Sequence, residues 1–352
     1  MSGTSLDGVD AALIRTDGTV VSEQGAALTL AYPPDLRRRL RGVLGGVGAV
    51  AEVEREVTLF HADAVAALLA KAGVLASEVD VVGFHGHTIL HRPQERRTWQ
   101  IGDGQLLAER IGIPVVHDFR TNDVQAGGQG APLVPVFHGA LAAAFDHPVA
   151  VLNLGGVGNV TWVGADGALL AFDTGPGNAL IDDWALAHTG HPVDVDGALA
   201  AAGRIDAAAV AEFTAHPYFD RLPPKSLDRD DFRHMAERLT TGLSAEDGAA
   251  TLTAFTVASV ARAQQHFEAP PRRWLVCGGG RRNPHLMAGL AAALPVLVEP
   301  VDAEGWDGDA LEAQAFAFLA VRSLKGLPLT FPTTTGVERA LTGGRGCRPP
   351  QR

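Results

Sequence analysis

Apolar positions along the chain switch repeatedly between the two-residue spacing of strands and the wider spacing of helices. Residues 9–14 predict a strand, an Asp17-Gly18 turn follows, and a second strand is expected near 19–22. Residues 51–72 predict a long amphipathic helix with Val53, Val57, Phe60, Ala64, Leu68 and Ala72 on one stripe. Strands are expected at 79–84, 98–101 and 114–116, and a helix at 133–145. A second series opens with strands at 149–154, 160–163 and 169–172, then a helix over 178–188 capped by Asn178. Helices are predicted over about 206–214 and 246–267, a strand at 274–277, and a last helix over about 310–323.

The two series begin alike. Met1-Ser2-Gly3-Thr4-Ser5 feeds the strand at 9–14, and Asn153-Leu154-Gly155-Gly156-Val157-Gly158-Asn159 feeds the strand at 160–163. Alternating strands and helices with this weak duplication predict an α/β protein of two domains. The run Gly-Gly-Gln-Gly-Ala-Pro-Leu-Val-Pro at 127–135 marks the boundary. The first domain is expected over 1–130 with the tail at 331–352 packed back on it, and the second over 131–330.

Composition narrows the function. The 352 residues are 46% hydrophobic and 20% charged, enough for packed cores. The net charge of −11 argues against a nucleic-acid partner, though glycine-loop amides hold phosphate without net positive charge. The longest uncharged helical stretch, 248–261, falls short of the roughly 20 apolar residues that span a bilayer. No signal-peptide pattern opens the chain and its two cysteines make no disulfide framework, so the cytoplasm is the expected compartment. The only lysines are Lys71, Lys225 and Lys325, and none follows a glycine. A Walker A loop is therefore absent, as are the protein-kinase HRD and DFG triplets.

Three glycine-rich turns offer other ways to hold phosphate. The first is Gly3, Thr4, Ser5, Leu6, Asp7, Gly8, Val9 and Asp10. Its small and hydroxyl residues allow close approach of an anion, and Asp7 and Asp10 suit Mg²⁺. The second contains Gly155, Gly156 and Asn159, and the third is Gly278, Gly279 and Gly280, followed by Asn283, which can cap a helix begun by Pro284. Each fits an ordinary turn as well as a ligand loop. Asp173, at the end of an apolar strand before Gly175-Pro176-Gly177, fits either a general base or a carboxylate that caps its own turn.

Read together, these segments resemble the anhydro-N-acetylmuramic acid kinase family. MSGTSLDGVD at the start, HGHTI at 85–89, QIGD at 100–103, DFR at 118–120 and DVQAGGQGAPLVP ending at 135 appear in family order. So do NLGGVGNVT, FDTGPGNALIDDW at 172–184, PPKS at 223–226, VCGGGRRNPHLM and LEAQAFAFLA at 311–320. The resemblance covers nearly the whole chain.

The resemblance implies a two-lobed actin/hexokinase-like fold, each lobe a mixed five-stranded sheet with helices, with ATP in the cleft between them. It implies a reaction in which water, ATP and a 1,6-anhydro sugar give N-acetylmuramic acid 6-phosphate and ADP during peptidoglycan recycling. Asp173 would be the general base on the water. The loop at 3–10 would hold phosphates and metal, and Gly155, Gly156 and Asn159 would oppose it. Gly278, Gly279, Gly280 and Asn283 would border the nucleoside, and Thr88, Arg120 and Glu312 would line the sugar. The resemblance also implies a homodimer.

Three departures from the family pattern stand out. Relatives usually carry a short apolar strand ahead of MSGTS, so the first strand of the first lobe is expected to be missing or abbreviated here. Phe84 and His87 stand where Ser and Gln are usual, and Leu227-Asp228 replaces Thr-Gly after PPKS. Two alternatives stay open: a kinase for another sugar, such as levoglucosan or an open hexosamine, and a catalytically degenerate actin-like nucleotide binder.

Overall fold

The computed structural model describes residues 1–3 and 6–350. The strands in chain order are β1 (Gly8–Thr16), β2 (Val21–Ala31), β3 (Val82–Phe84), β4 (His87–Arg92), β5 (Arg97–Ile101), β6 (Val115–His117), β7 (Val149–Leu154), β8 (Val157–Val163), β9 (Leu169–Pro176), β10 (Arg273–Cys277), β11 (Leu297–Pro300) and β12 (Arg345–Cys347). The architecture is mixed α/β. Two compact units divide it: Met1–Leu141 with Ala310–Arg352, and Ala142–Asp309.

The second unit holds a five-stranded mixed sheet in the order β11-β10-β7-β8-β9. β7, β8 and β9 are an antiparallel meander, and β10 runs parallel to both β7 and β11. Apolar side chains fill the space between this sheet and helices Ala245–Ala263 and Pro284–Ala293. Leu152, Leu154, Val160, Phe172, Trp274, Val276, Leu286 and Leu290 form that core. Burial of each such side chain is worth about 1.5–3 kcal/mol, so the sheet is a stiff platform for the turns at its ends. Asn283 starts the helix it precedes, accepting Leu286 N–H at 3.0 Å, with Pro284 in the first turn.

The first unit is built differently from the expected five-stranded sheet. Its strands lie in a β1-β2 hairpin, a β4-β5 hairpin and a three-stranded β12-β6-β3 sheet. Short strands account for this: β3, β6 and β12 have three residues each, too few for a continuous ladder. The helix at Val50–Ala72 packs Val53, Val57, Ala64 and Leu68 against the β1-β2 hairpin, as its stripe predicts. Ser2 bridges in parallel to His87, and Met1 and Asp10 exchange two bonds, Asp10 N–H to Met1 O at 2.9 Å and the α-amino group to Asp10 O at 2.7 Å.

Helix Leu311–Leu324 packs on β1, β3 and β6, so the chain rejoins the first unit at Ala310 rather than near 331. Residues 131–141 also belong to that unit, eleven positions beyond the expected boundary. Sequence order favoured keeping both stretches with the second series. Contacts of Phe137 with Phe318, ring centroids 5.5 Å apart, hold them in the first. Helix Pro34–Gly42, with Leu36 and Leu40 buried four apart, and the six-residue strand β4 were not expected.

Candidate active site

Asp173 sits on β9 where three strands bring polar side chains abreast. The register pairs Asn153 with Asn159, and Asn159 with Asp173. Three hydrogen bonds fix Asp173. Its N–H donates to Lys225 O at 3.0 Å, its carbonyl accepts from the Tyr218 hydroxyl at 2.5 Å, and Oδ2 accepts Leu227 N–H at 2.8 Å. The carboxylate is thus held by a segment more than 50 residues away, and not by its own turn. Burial pushes its carboxyl up to about 7; the Leu227 N–H pulls it down and the Asp228 charge pushes it further up. The two family departures at 227–228 therefore fall beside this group. The Leu227 contact is made by backbone and needs no particular side chain.

β9 runs on past Asp173 to Pro176 instead of ending at 172, and the Gly-Pro-Gly stretch expected to turn there is shaped by close approach. A Cβ on Gly177 would lie 2.3 Å from Gly155 O, and one on Gly175 would lie 2.3 Å from Ser259 Oγ. Asn178 does not cap the following helix with its side chain as expected. Its Nδ2 donates to Leu154 O at 2.8 Å and Gly155 O at 3.1 Å, so it pins the turn between β7 and β8.

That turn carries Gly155 and Gly156. A Cβ on Gly155 would meet nothing nearer than Val157 O at 3.7 Å, and one on Gly156 nothing nearer than Ala179 Cβ at 3.6 Å. A Cβ on Gly279 would meet only Asn178 Nδ2, at 4.0 Å. These three backbones are open to approach by a ligand. Gly278 and Gly280 serve packing instead: φ is +76° at Gly278, and a Cβ on Gly280 would lie 2.6 Å from Leu154 Cβ. Arg281 anchors the loop from below, bonding Gly278 O at 3.1 Å, Asp302 at 2.7 Å and Asp309 at 3.0 Å. A cavity of about 340 Å³ opens beside this loop, lined among others by Ile181, Asp182, Val193, Val195 and Gly279.

In the first unit, Thr4 and Ser5 lie outside the described residues. Leu6 and Val9 are core residues, so their side chains pack while any ligand contact is left to backbone. Gly8 is required by the hairpin, where a Cβ would fall 2.4 Å from Leu30 O. Asp7 is exposed and Asp10 half-buried, with Asp10 Oδ1 accepting from Thr29 Oγ1 at 2.6 Å. The described residues contain no group of three or more His, Cys, Asp or Glu arranged for a metal. Two hard carboxylates still suit Mg²⁺, which keeps several waters of its own.

Arg120 and His85 are joined, Arg120 Nε donating to His85 Nε2 at 2.9 Å, while Arg120 Nη1 donates to Gly130 O at 2.6 Å. Because Nε2 accepts, the His85 proton is on Nδ1, 3.0 Å from Gly86 O. Burial and the Arg120 charge hold His85 well below its ordinary pKa, so it is neutral. Glu312 is accessible to water but desolvation raises its carboxyl, and Arg120 opposes that rise. Thr88 Oγ1 accepts from Gln100 Nε2 at 3.1 Å. His87 is buried, its Nδ1 2.9 Å from Ser2 Oγ, and Phe84 lies in the core. Buried Asp123 ties down the glycine-rich loop that follows it, accepting from Gly130 N–H and the Thr335 hydroxyl, each at 2.6 Å.

Sequence reasoning assigned no role to Tyr218, Lys225, Asp123, His85 or Arg281. The Arg-Arg pair after three glycines and the lone lysine of Pro-Pro-Lys-Ser were the available signals.

The comparisons with known proteins agree across the whole chain. Residues 1–348 match the family described as anhydro-N-acetylmuramic acid kinase. A protein of that name from Paramagnetospirillum magneticum is 66% identical over 345 residues, covering 98% of this chain and 97% of its own. Another from Rhodospirillum rubrum is 59% identical, covering 98% and 92%. Among solved structures, an activator of 2-hydroxyisocaproyl-CoA dehydratase from Clostridium difficile covers 92% of this chain and 93% of its own, at a TM-score of 0.46 and 11% identity, too distant to carry an argument. With the family's motifs standing at the turns, strand end and loop described above, and with identity sustained from end to end, this chain belongs to the anhydro-N-acetylmuramic acid kinase family.

Proposed function

We propose that the protein is an ATP-dependent kinase that opens 1,6-anhydro-N-acetylmuramic acid with water and phosphorylates O6, yielding N-acetylmuramic acid 6-phosphate and ADP. The observation that carries this reading is Asp173: a carboxyl pushed up to about 7, held within β9 by the Leu227 N–H of a distant loop. A base with that pKa accepts a proton readily near neutral pH.

Asp173 takes a proton from water as the water oxygen bonds to the anomeric carbon. The C1–O6 bond breaks, and its electron pair stays on O6. O6 then bonds to the γ-phosphorus, and the bond from that phosphorus to the bridging oxygen breaks to release ADP. Positioning and charge neutralisation do most of the phosphoryl-transfer work. Gly155, Gly156 and Gly279, whose backbones are open to approach, support a phosphate and nucleoside role for their loops. Gly278 and Gly280 shape the third loop, and Asn283 caps the helix behind it. In the first unit the turn at residues 3–10 would hold phosphates through its backbone. Mg²⁺, held by Asp7 and Asp10, would supply charge neutralisation on the phosphates. Arg120 and Glu312, within electrostatic reach of each other, and Thr88 would line the sugar. An actin-like two-lobed fold, a homodimer and a cytoplasmic setting complete the reading. No helix among the described residues is long and apolar enough to cross a membrane.

Turnover of the anhydro sugar with ATP, set against levoglucosan and open N-acetylmuramic acid, tests the proposal. Preference for levoglucosan would favour the alternative sugar kinase, and no turnover of any would favour the degenerate nucleotide binder.

A further inference from the structure

Lys225 is a buried lysine that the reaction above does not use. It is 5% exposed, and its ammonium group is surrounded. Nζ donates to Tyr218 O at 3.1 Å, to Phe219 O at 3.0 Å and to His266 Nε2 at 3.0 Å. It also stands 4.7 Å from the Tyr218 ring centroid and 5.5 Å from that of Phe172. An ammonium group has three donors and no acceptor, so toward Lys225 the His266 Nε2 acts as acceptor, while the same nitrogen also stands 2.9 Å from Phe219 O, which a proton on Nε2 would satisfy instead. With Nε2 accepting, all three donors of Lys225 are spent on protein.

What those contacts join is specific. Tyr218 gives its hydroxyl to Asp173 O, Lys225 O takes the Asp173 N–H, and two residues on, Leu227 N–H reaches Asp173 Oδ2. The ammonium group ties the segment 217–220 to the segment 223–227, and both grip Asp173. Burying a lysine is costly unless every donor is satisfied, and a shorter apolar residue would close this space without the cost. A charge kept here at that cost, linking the two segments that hold one carboxylate, needs a reason beyond packing.

We propose that Lys225 is a positioning residue: its ammonium group clamps the 217–227 segment so that the Leu227 N–H is held on the Asp173 carboxylate. The inference rests on Asp173 being the base. The clamp sets both where the carboxylate points and how readily it stays ionised, because a hydrogen bond to the charged form favours that form. Desolvation lowers the lysine to about 8, with Arg221 and Arg262 acting in the same sense and Asp220 against it. His266 faces it from the turn Gln264–His266 that follows helix Ala245–Ala263, and the Asp228 charge acts on Asp173.

The test compares Lys225→Met, His266→Leu and His266→Gln in the full chain, with Asp173→Asn alongside. Misplacing a reacting group by about 1 Å costs about 10²-fold in rate, so Lys225→Met should lose kcat on that scale with the KM for ATP little changed. Its acid limb in the kcat profile should move to higher pH, since the Leu227 bond that favours the carboxylate is loosened. His266→Leu, which removes one acceptor, should move the limb the same way by less, and His266→Gln, which keeps an oxygen acceptor, should restore it. An unmoved limb in both Lys225→Met and His266→Leu, with Asp173→Asn inactive, would overturn the clamp while leaving the base assignment intact. Should Lys225→Met fail to fold, the His266 pair decides alone. Activity surviving in Asp173→Asn would remove the ground on which the clamp stands.

Discussion

The backbone N–H of Leu227 donates to Asp173 Oδ2 at 2.8 Å, joining positions 54 residues apart in the chain. This bond ties the Asp173 carboxylate to a distant loop and not to its own turn. An aspartate that caps its own turn bonds a backbone N–H one to three residues on. Asp173 instead receives a donor from a distant loop, while the glycines after it are close-packed and Asn178 pins the turn between β7 and β8.

The first prediction concerns pH. Asp173 has its carboxyl raised to about 7 from an ordinary 3.8, and the proposed role as base needs it ionised. Activity should therefore rise as pH increases through about 7 and be lost below. The stability effect has the opposite sign. A carboxyl raised on folding favours the folded state while protonated, so this contribution is present below the unfolded pKa and lost as pH rises through about 7. A kcat profile from pH 5 to 9 measures the limb.

The second concerns Asp228, whose exposed charge pushes the Asp173 carboxyl up. Asp228→Asn removes that charge and keeps the size. The acid limb should shift to lower pH, with melting temperature nearly unchanged. A limb at the same pH as in the parent protein would show that Asp228 does not act on the base.

Much of the second unit was legible in the sequence because its strands and turns are local. The apolar runs at 149–154 and 160–163 and the Pro284 helix start specify themselves within a few residues, and β7, β8 and the helix from Pro284 follow them, β8 beginning three residues earlier than expected. The first unit was less legible. The strands expected at 79–84 and 114–116 are present as β3 and β6, but β12, three residues in the tail, has no two-residue period to mark it, and nothing local says how these short strands pair. Helix Leu311–Leu324 has an apolar pattern that demands a partner without saying which. Asp173 before Gly175-Pro176-Gly177 could be read from its neighbours either as a base or as a turn cap, and the base role came from the family resemblance. The groups that hold it, Tyr218 and Leu227, lie 45 and 54 residues away and carry no local mark.

The third prediction addresses the turn at Gly155. Asn178→Ala removes two bonds, to Leu154 O and Gly155 O. Each is worth about 1 kcal/mol, so the turn should loosen and ATP should bind about tenfold more weakly. Calorimetric titration with ATP in the presence of Mg²⁺ checks this. Unchanged affinity would remove the turn from the nucleotide site.

The fourth concerns the loop that carries Gly130. Asp123→Ala leaves Gly130 N–H and the Thr335 hydroxyl without their carboxylate, at a site only 2% exposed. Each unsatisfied buried group costs about 1–3 kcal/mol, so the melting temperature should fall clearly. Gly130 O also receives Arg120, so the KM for the sugar should rise more than the KM for ATP. Equal rises would place Arg120 away from the sugar.

Asp173→Asn tests the role of this carboxylate most directly. Asparagine keeps the shape and its side-chain oxygen can still accept Leu227 N–H, but it takes no proton from water. Turnover of the anhydro sugar should fall by at least about 10²-fold, the contribution of a general base, with ATP affinity and melting temperature close to those of the parent protein. Near-normal kcat on the anhydro sugar, in a folded variant that binds ATP, would contradict the assignment of Asp173 as the base.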